Sequence, residues 1–386
     1  MNNLFYDILG RLSMFPARLL GSGTMGCVQT GRGAAAEKSI WQHRKIIGLL
    51  TLMAVFGFWV PRAEAQYAPI PLSGGALVKM TADYQRPYIY AIQSPASGAT
   101  NGNLLFINMT NNSIDKTLPI GTNPTDLTIN VAEGRLYIAS WTESATYVVD
   151  LASQTLLPSL NLGTDIYKIN AVRAGRVITE GEDQWVNVNF VDTVGGTNVN
   201  LGNYSFREGD GETDSTGTYY FHCDNNASDA HVHKYYIAND AFTEVADGKQ
   251  HPYGTRNLIL SHDGTRLFWN GYMYDSGLNE LAGLGSEIYA CSANGAVAFS
   301  SGQAFDTATS LPMYNLPVSA TVSVVDGLGQ RLWYYNSLTN GIESIALAVM
   351  EKPSIIHQPT NQVIYSGNSA VVSVGVAGLS PLTYYW

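Results

Sequence analysis

The sequence predicts an all-β fold: a seven-bladed β-propeller followed by an incomplete second β-domain. First, charged residues make up only 13% of the 386 residues, whereas 38 Gly, 23 Tyr, 12 Phe and 7 Trp supply turns and flat packing groups. This composition excludes a coiled coil, an acidic disordered chain and a basic nucleic-acid binder. Second, one short phrase of aromatic and β-branched residues recurs seven times. Third, helical periodicity is absent after residue 65.

Residues 1–65 are predicted to be an N-terminal extension ending in a secretory signal peptide. The basic patch His43-Arg44-Lys45 precedes fifteen uncharged residues at 46–60, and Ala63-Glu64-Ala65 supplies small residues for cleavage. This order is typical of a signal cleaved after Ala65. The alternative is a membrane anchor, but a span needs about 20 apolar residues. We therefore expect a secreted or cell-surface protein with no stable membrane span in its mature chain.

The charge of the mature chain restricts its partners. Residues 1–65 carry seven of the 21 Lys and Arg and three of the 31 Asp and Glu, so the remainder has a net charge of −14. An acidic surface repels phosphate backbones and anionic lipid headgroups. We expect no nucleic-acid partner, and an extracellular protein or glycan as the ligand.

The repeated phrase predicts the propeller over residues 66–350. Each copy follows a turn, and most copies are followed by a second β-run. The copies are RPYIYA, RLYIAS, RVITE, TYYFHC, RLFWNG, AVAFSS and RLWYYN, beginning at Arg86, Arg135, Arg176, Thr218, Arg266, Ala296 and Arg331. Three or four short strands per unit describe a propeller blade, and seven blades close a ring. Residues 70–80 are expected to provide a strand that closes this ring with the last blade. The alternative is a pair of β-sandwiches.

A family resemblance supports this assignment. The pattern Gly121-x-x-Pro124-x-x-Leu127-x-Ile129, followed by GRLYIA at 134–139 and YVVD at 147–150, resembles the YVTN-type repeat of secreted and surface-layer propellers. Residues 258–270 are similar to the same repeat. The resemblance implies a seven-bladed propeller in an extracellular setting. It implies little about activity, because this fold hosts binders, scaffolds and enzymes.

Residues 353–386 resemble the first third of a bacterial immunoglobulin-like domain. The alternating residues Val372, Val374 and Val376 fit a sandwich strand with one buried face, and Trp386 falls where such domains place their core tryptophan. We therefore predict an incomplete immunoglobulin-like β-sandwich here.

Histidines in the middle of the chain form the densest cluster of potential metal ligands. They are His222, which precedes Cys223, and the pair His231 and His233, which follows Asp229. Residues 231 and 233 project from the same face of a strand, which permits joint coordination. The alternative is that all three are ordinary polar residues of loops and strands.

A second candidate site is acidic. Asp210, Glu212 and Asp214 alternate like the oxygen ligands of a calcium loop, although the later bidentate Glu of such a loop is missing. The alternative is a solvated acidic hairpin tip. We predict no other cofactor, and Ca²⁺ is the one cation that this segment suggests. Cys223 and Cys291 are either a disulfide or two buried thiols.

The function that these observations favour is non-catalytic: recognition or adhesion at a cell surface, or extracellular scaffolding. No catalytic residues are assigned, because the sequence contains neither a nucleophile-elbow motif nor a Ser/His/Asp phrase. The alternative is a hydrolase, lyase or lactonase acting on extracellular carbohydrate at the mouth of the propeller channel. A third hypothesis is a redox or metal-handling propeller that uses the 222–233 cluster.

Overall fold

The structure of the chain is a computed structural model, and short antiparallel strands make up most of it. It describes residues 67–143, 145–162, 165–182, 188–194, 198–200, 209–225, 228–347, 354–357 and 375–377. Within these ranges, seven four-stranded antiparallel sheets lie in the unit formed by residues 66–352. The predicted all-β seven-bladed propeller is therefore confirmed.

Each blade contains four strands. Blade 1 consists of β2 (Leu77–Ala82), β3 (Tyr88–Gln93), β4 (Gly102–Asn108) and β5 (Ser113–Ile120), and blade 2 of β6 (Pro124–Asn130), β7 (Arg135–Ser140), β8 (Ala145–Asp150) and β9 (Thr155–Leu160). Blade 3 consists of β10 (Ile166–Arg173), β11 (Arg176–Gly181), β12 (Asn189–Asp192) and β13 (Asn198–Asn200), and blade 4 of β14 (Asp210–Thr213), β15 (Tyr219–Cys223), β16 (Val232–Tyr236) and β17 (Thr243–Asp247). Blade 5 consists of β18 (Leu258–Leu260), β19 (Arg266–Trp269), β20 (Tyr272–Asp275) and β21 (Glu280–Gly283), and blade 6 of β22 (Ile288–Cys291), β23 (Val297–Ser300), β24 (Gln303–Asp306) and β25 (Leu311–Asn315). Blade 7 consists of β26 (Ser323–Val325), β27 (Arg331–Asn336), β28 (Gly341–Ala346) and β1 (Ile70–Pro71).

The first strand of each blade lines the ring axis. Each first strand contacts the first strand of the next blade, and β26 of blade 7 contacts β2 of blade 1, which completes the circle. We call the end at which these first strands begin the upper face. The lower face carries the tight turns that join the first and second strands.

Two residues from the start of the propeller close the ring. In β1, Ile70 pairs with Ile342 and Pro71 pairs with Gly341 of β28. The Asn340 side chain also donates to the Leu72 carbonyl. The sequence placed the closing strand within 70–80; the structure uses only its first two residues and assigns residues 77–82 to blade 1.

The repeated phrase forms the second strand of every blade. Strands β3 and β7 are buried along nearly their whole length. Both faces of such a strand pack against neighbouring blades: in blade 1, Tyr90 lies edge-on to Phe106, with ring centroids 5.3 Å apart, and packs with Leu136 of blade 2. A strand buried on both faces needs a nearly continuous apolar run. The fourth strands β9 and β17 are mostly exposed and carry no such run.

The tight turns on the lower face follow the local sequence. Gly264 has φ +70°, a conformation that glycine adopts without steric cost. The preceding Asp263 accepts a hydrogen bond from the Thr265 amide at 3.0 Å. Asp263 and Gly264 therefore form a turn between β18 and β19, where the sequence predicts a turn before the copy of the phrase that begins at Arg266.

Cys223 and Cys291 are free thiols on different blades. Of the two alternatives left by the sequence, the disulfide is therefore wrong. In the tail, β29 (Ser354–His357) pairs antiparallel with β30 (Gly375–Ala377). The signal-peptide prediction falls outside the described residues. Most of the predicted immunoglobulin-like domain does so as well, and both stay predictions.

Candidate functional site

Three side chains of blade 4 meet at its upper edge. Strands β15 and β16 pair so that His222 lies opposite His233, and the Asp224 amide donates to the His231 carbonyl at 3.0 Å. Directly paired residues project from the same face of a sheet. Asp224, His231 and His233 therefore share one face, and the imidazole centroids of the two histidines are 4.1 Å apart.

Asp224 is the centre of this cluster. Its Oδ2 lies 3.6 Å from His231 Nε2 and 3.5 Å from His233 Nε2. Asp224 is only 2% exposed, and its Oδ1 has no hydrogen-bond partner among the described residues. In the described part of the chain, two groups of three side chains each bring one potential ligand atom per residue within 4.8 Å of the others: Asp224 with His231 and His233, and His233 with Glu244 and Asp247.

Strand β17 supplies acids to the other side of both imidazoles. Asp247 Oδ1 lies 2.5 Å from His231 Nδ1, and Glu244 Oε1 lies 2.8 Å from His233 Nδ1. Burial lowers the pKa of His233, but the carboxylates of Asp224 and Glu244 outweigh it, so the net pKa lies above its usual range. Each of the two histidines thus has a carboxylate beside both of its ring nitrogens.

The sequence analysis singled out His231 and His233, which follow Asp229, but not Asp224. Asp229 is exposed, whereas Asp224 is the carboxylate beside both histidines. The hairpin register was the missing signal: once residue 222 pairs with 233, residue 224 lies opposite 231.

His222 does not join the cluster. Its Nε2 lies 3.3 Å from Glu180 Oε2 of blade 3, and both residues are 1% exposed. Glu180 also accepts a hydrogen bond from the Tyr220 hydroxyl. This acid, imidazole and phenol form a buried polar contact between blades 3 and 4. In the structure, His222 is thus an inter-blade residue.

Asp210 and Glu212 lie on strand β14, which lines the ring axis, whereas Asp214 begins the turn between β14 and β15. Of the three acids, only Asp214 thus lies at the hairpin tip. Gly211 makes room for a neighbouring side chain within the blade, because a Cβ there would overlap the Tyr220 hydroxyl. Asp214 instead caps the following turn, accepting from the Thr218 amide at 2.8 Å. The three carboxylates thus have separate environments.

Asp210 belongs to a chain of ionic contacts along the channel. Its Oδ1 lies 2.8 Å from Lys168 Nζ of blade 3, and its Oδ2 accepts from the Leu258 amide of blade 5 at 3.2 Å. The charges of Lys168 and Lys79 overcome the effect of burial and hold the pKa of Asp210 below its usual range. Three successive blades are connected through this one carboxylate.

Asp126 makes the equivalent contacts two blades earlier. Its Oδ1 lies 2.6 Å from Lys79 Nζ of blade 1, and its Oδ2 accepts from the Ile169 amide of blade 3 at 2.9 Å. Burial opposes protonation of Lys79, but Asp126, Asp210 and Glu212 together raise its pKa. The charge of Lys79 therefore interacts with acids of blades 2 and 4 across the channel.

Glu212 completes this charged lining. Burial raises its pKa to about 7; Asp210 and Asp126 add to the shift, and Lys79 opposes it. Unlike the other two acids of the channel, Glu212 is only partly buried. It is therefore the channel carboxyl that titrates near neutrality.

The upper face carries an aromatic and cationic stack close to the channel. Trp141, which follows β7, lies edge-on to Tyr167 with ring centroids 6.1 Å apart. The Arg256 guanidinium lies 3.9 Å from the centroid of the same tyrosine ring. Arg256 also donates to the carbonyls of Gly181 and Gly209 at 3.1 Å each. The stack thus joins groups from blades 2, 3 and 5.

The lower end of the channel is bridged by two rings. Tyr84, between β2 and β3, stacks on His262, between β18 and β19, with centroids 3.7 Å apart and planes 10° apart. Blades 1 and 5 are not neighbours in the ring, so this contact crosses the axis. Burial raises the pKa of Tyr84 to about 12.

Comparisons with known proteins bear on the fold alone. No protein-family model and no curated protein matches this sequence, so the YVTN-type resemblance stays a prediction. Hydrazine synthase of Kuenenia stuttgartiensis is similar in structure, with TM-score 0.57 and 11% identity over 75% of this chain and 99% of that chain. The β-propeller domain of Cps50 (Swd1) from Myceliophteria thermophila has TM-score 0.56 and 11% identity, over 72% of this chain and 98% of that one. Among the described residues, no helix has the length and apolar character needed to cross a bilayer.

Proposed function

We propose that this chain is an exported, non-catalytic propeller that recognises an extracellular glycan or protein, in surface adhesion or scaffolding. The acidic mature sequence and the signal-like N-terminus support an extracellular setting. The propeller supports a binding role because its loops surround the ends of a rigid ring. A further immunoglobulin-like module and the YVTN-type repeat belong to the same proposal.

The stack of Trp141, Tyr167 and Arg256 is the observation that carries this proposal. Flat aromatic rings bind the apolar faces of sugar rings and peptide side chains, and a guanidinium adds hydrogen-bond donors. Trp141 and Tyr167 are only partly buried, so their free surfaces face solvent. They lie where loops of three blades converge on the channel.

The fixed acids of the channel argue against catalysis there. A glycosidase needs two carboxyl groups free to act as acid and base or nucleophile. Asp126 and Asp210 instead bind a lysine and a backbone amide each. Their contacts are those of residues that hold blades together.

A retention assay tests the proposed recognition. The full chain is incubated with insoluble polysaccharides, cell-wall material and immobilised extracellular proteins, and both bound protein and soluble products are measured. We expect retention on at least one solid without product release, and a loss of about tenfold in affinity for Trp141→Ala, since one stacking contact contributes roughly 1–1.5 kcal/mol. Tyr314→Ala, a partly exposed tyrosine on the outer strand β25, is the matched control.

Equal retention of Trp141→Ala and the wild type would contradict the role of the stack. The Trp141→Ala variant must melt within a few degrees of the wild type, so that lost binding is not lost folding. Absence of retention on every solid and protein would contradict the recognition proposal for that panel.

One observation favours the enzyme alternative. Glu212 lies in the channel with a pKa of about 7, which suits a general acid near neutrality. An extracellular carbohydrate hydrolase, lyase or lactonase would release soluble product from the same panel. Glu212→Gln would then abolish release while leaving retention intact. Product release with this behaviour would overturn the non-catalytic proposal.

A further inference from the structure

We infer that Asp224, His231 and His233 bind one divalent transition metal ion, of which Zn²⁺ is the best fit. The ligand atoms are Asp224 Oδ2 and the Nε2 atoms of the two histidines. This site lies on strands and loop ends of blade 4, apart from the Trp141 stack, and does not depend on the proposed recognition function.

The ligand spacing suits tetrahedral zinc. The two Oδ2–Nε2 distances are 3.6 and 3.5 Å. A tetrahedral site with metal–ligand bonds of about 2.0–2.1 Å has edges of about 3.4 Å between its ligand atoms. Two of the three edges therefore already have nearly the required length, and the ligand atoms of all three side chains lie within 4.8 Å of one another.

The second ring nitrogens are already oriented. Asp247 lies 2.5 Å from His231 Nδ1, and Glu244 lies 2.8 Å from His233 Nδ1. Such acids keep a proton on Nδ1 and so make Nε2 the metal-binding nitrogen of each ring. A metal ion that binds there displaces the Nε2 protons, which otherwise face the Asp224 carboxylate, and takes over the balance of its charge.

The burial of Asp224 points to the same ligand. A carboxylate that is 2% exposed pays a large desolvation cost unless charge or hydrogen bonds compensate. Among the residues that the structure describes, its Oδ1 has no hydrogen-bond partner, and the two imidazole contacts of Oδ2 are long, at 3.5 and 3.6 Å. A metal ion on Oδ2 compensates the carboxylate more fully than these contacts do.

The donor set selects the class of metal. Imidazole nitrogens favour Zn²⁺ and other transition metals, whereas Ca²⁺ and Mg²⁺ prefer sets of oxygen atoms. Two histidines and one carboxylate also leave a fourth position for water, as in open zinc sites. We therefore expect Zn²⁺ to bind and Ca²⁺ to have little effect.

Titration with Zn²⁺ tests the site. The full chain, without a histidine tag and after chelator treatment, is titrated with ZnCl₂ by calorimetry against a competing chelator. We expect one ion per chain, a rise in melting temperature, and the visible absorption of tetrahedral Co²⁺ when CoCl₂ replaces zinc. His231→Ala should weaken binding by more than about 100-fold, and Asp247→Asn by about 10–100-fold.

Controls separate binding at this site from other effects. His262→Ala removes a histidine of the lower face and should leave zinc affinity unchanged. If His231→Ala misfolds by circular dichroism, Asp247→Asn and Glu244→Gln decide, because both acids are about half exposed. The inference is wrong if the protein does not bind zinc, or if it binds Ca²⁺ as tightly as Zn²⁺. It is also wrong if the Asp247→Asn variant binds zinc with wild-type affinity and either the His231→Ala or the Glu244→Gln variant does so too.

Discussion

Asp126 and Asp210 occupy equivalent positions on the first strands of blades 2 and 4, and they bind the same kinds of partner. Each forms an ion pair with a lysine Nζ of the preceding blade, Asp126 with Lys79 at 2.6 Å and Asp210 with Lys168 at 2.8 Å. Each also accepts a backbone amide from the following blade. These two carboxylates thus connect blades 1 to 5 near the ring axis.

Asp126→Asn should destabilise the propeller, because the buried oxygen then lacks the charge that balances Lys79. We expect a loss of about 2–4 kcal/mol in the free energy of unfolding, measured by denaturant titration. Asp229→Asn, at an exposed position before β16, is the surface control and should change stability by less than about 0.5 kcal/mol. In the double variant Asp126→Asn with Lys79→Met, part of the lost stability should return. Equal midpoints for Asp126→Asn and the control would refute this account.

Glu212 should make stability fall as the pH rises. The unfolded residue loses its proton near pH 4.5, whereas the folded residue keeps it until about pH 7. The folded state therefore binds more protons between these values, and stability declines by roughly 3 kcal/mol across this window before levelling off. Glu212→Gln keeps a neutral group and should lose this component of the pH dependence. Unfolding midpoints at pH 5 and pH 8 provide the measurement, and an unchanged slope in the variant would contradict the prediction.

Gly211→Ala should disrupt the contact between blades 3 and 4. The new methyl group would overlap the Tyr220 hydroxyl, which donates to Glu180. Forcing a side chain out of a packed position costs about 1–3 kcal/mol. Gly302→Ala is the matched control, because a Cβ there meets no atom within 4 Å. Thermal unfolding of both variants is the test; a Gly211→Ala protein as stable as Gly302→Ala would show that Tyr220 is free to move.

The thiols of Cys223 and Cys291 should resist alkylation in the native protein. Burial raises the pKa of both, and acidic neighbours add to the effect. Only the thiolate is reactive, so labelling by iodoacetamide at pH 8 should be slow until denaturant is added. Peptide mass spectrometry after timed labelling measures each site separately. Rapid native labelling of Cys223 would show that blade 4 opens locally.

The sequence predicted the second strands best because their physics leaves the clearest pattern. Arg135–Ser140 is buried between two blades, so nearly every residue there is apolar or aromatic. Thr243–Asp247 lies at the exposed edge of blade 4 and carries Glu and Asp, a composition that loops also have. Outer strands of this kind cannot be recognised without their hydrogen-bonded partners.

The candidate sites show a similar limit. His231 and His233 could be found because alternate residues of one strand share a face. Asp224 reaches them only through the cross-strand register, which depends on the length of the intervening loop. Asp210 was misread because acids at alternate positions are typical of a calcium loop, whereas Asp210 and Glu212 are alternate residues of a strand that lines the ring axis.

The two-residue closure of the ring has a mechanical consequence. Ile70 and Pro71 run antiparallel to β28, so the outward end of β1 lies beside the end from which the chain leaves the last blade. A pull applied at both ends of the propeller therefore loads these hydrogen bonds one after another, in unzipping geometry, rather than together in shear. If such a propeller is tethered to a surface and pulled, it would open first where β1 pairs with β28. Binding across this pair of strands would set the force that the domain withstands.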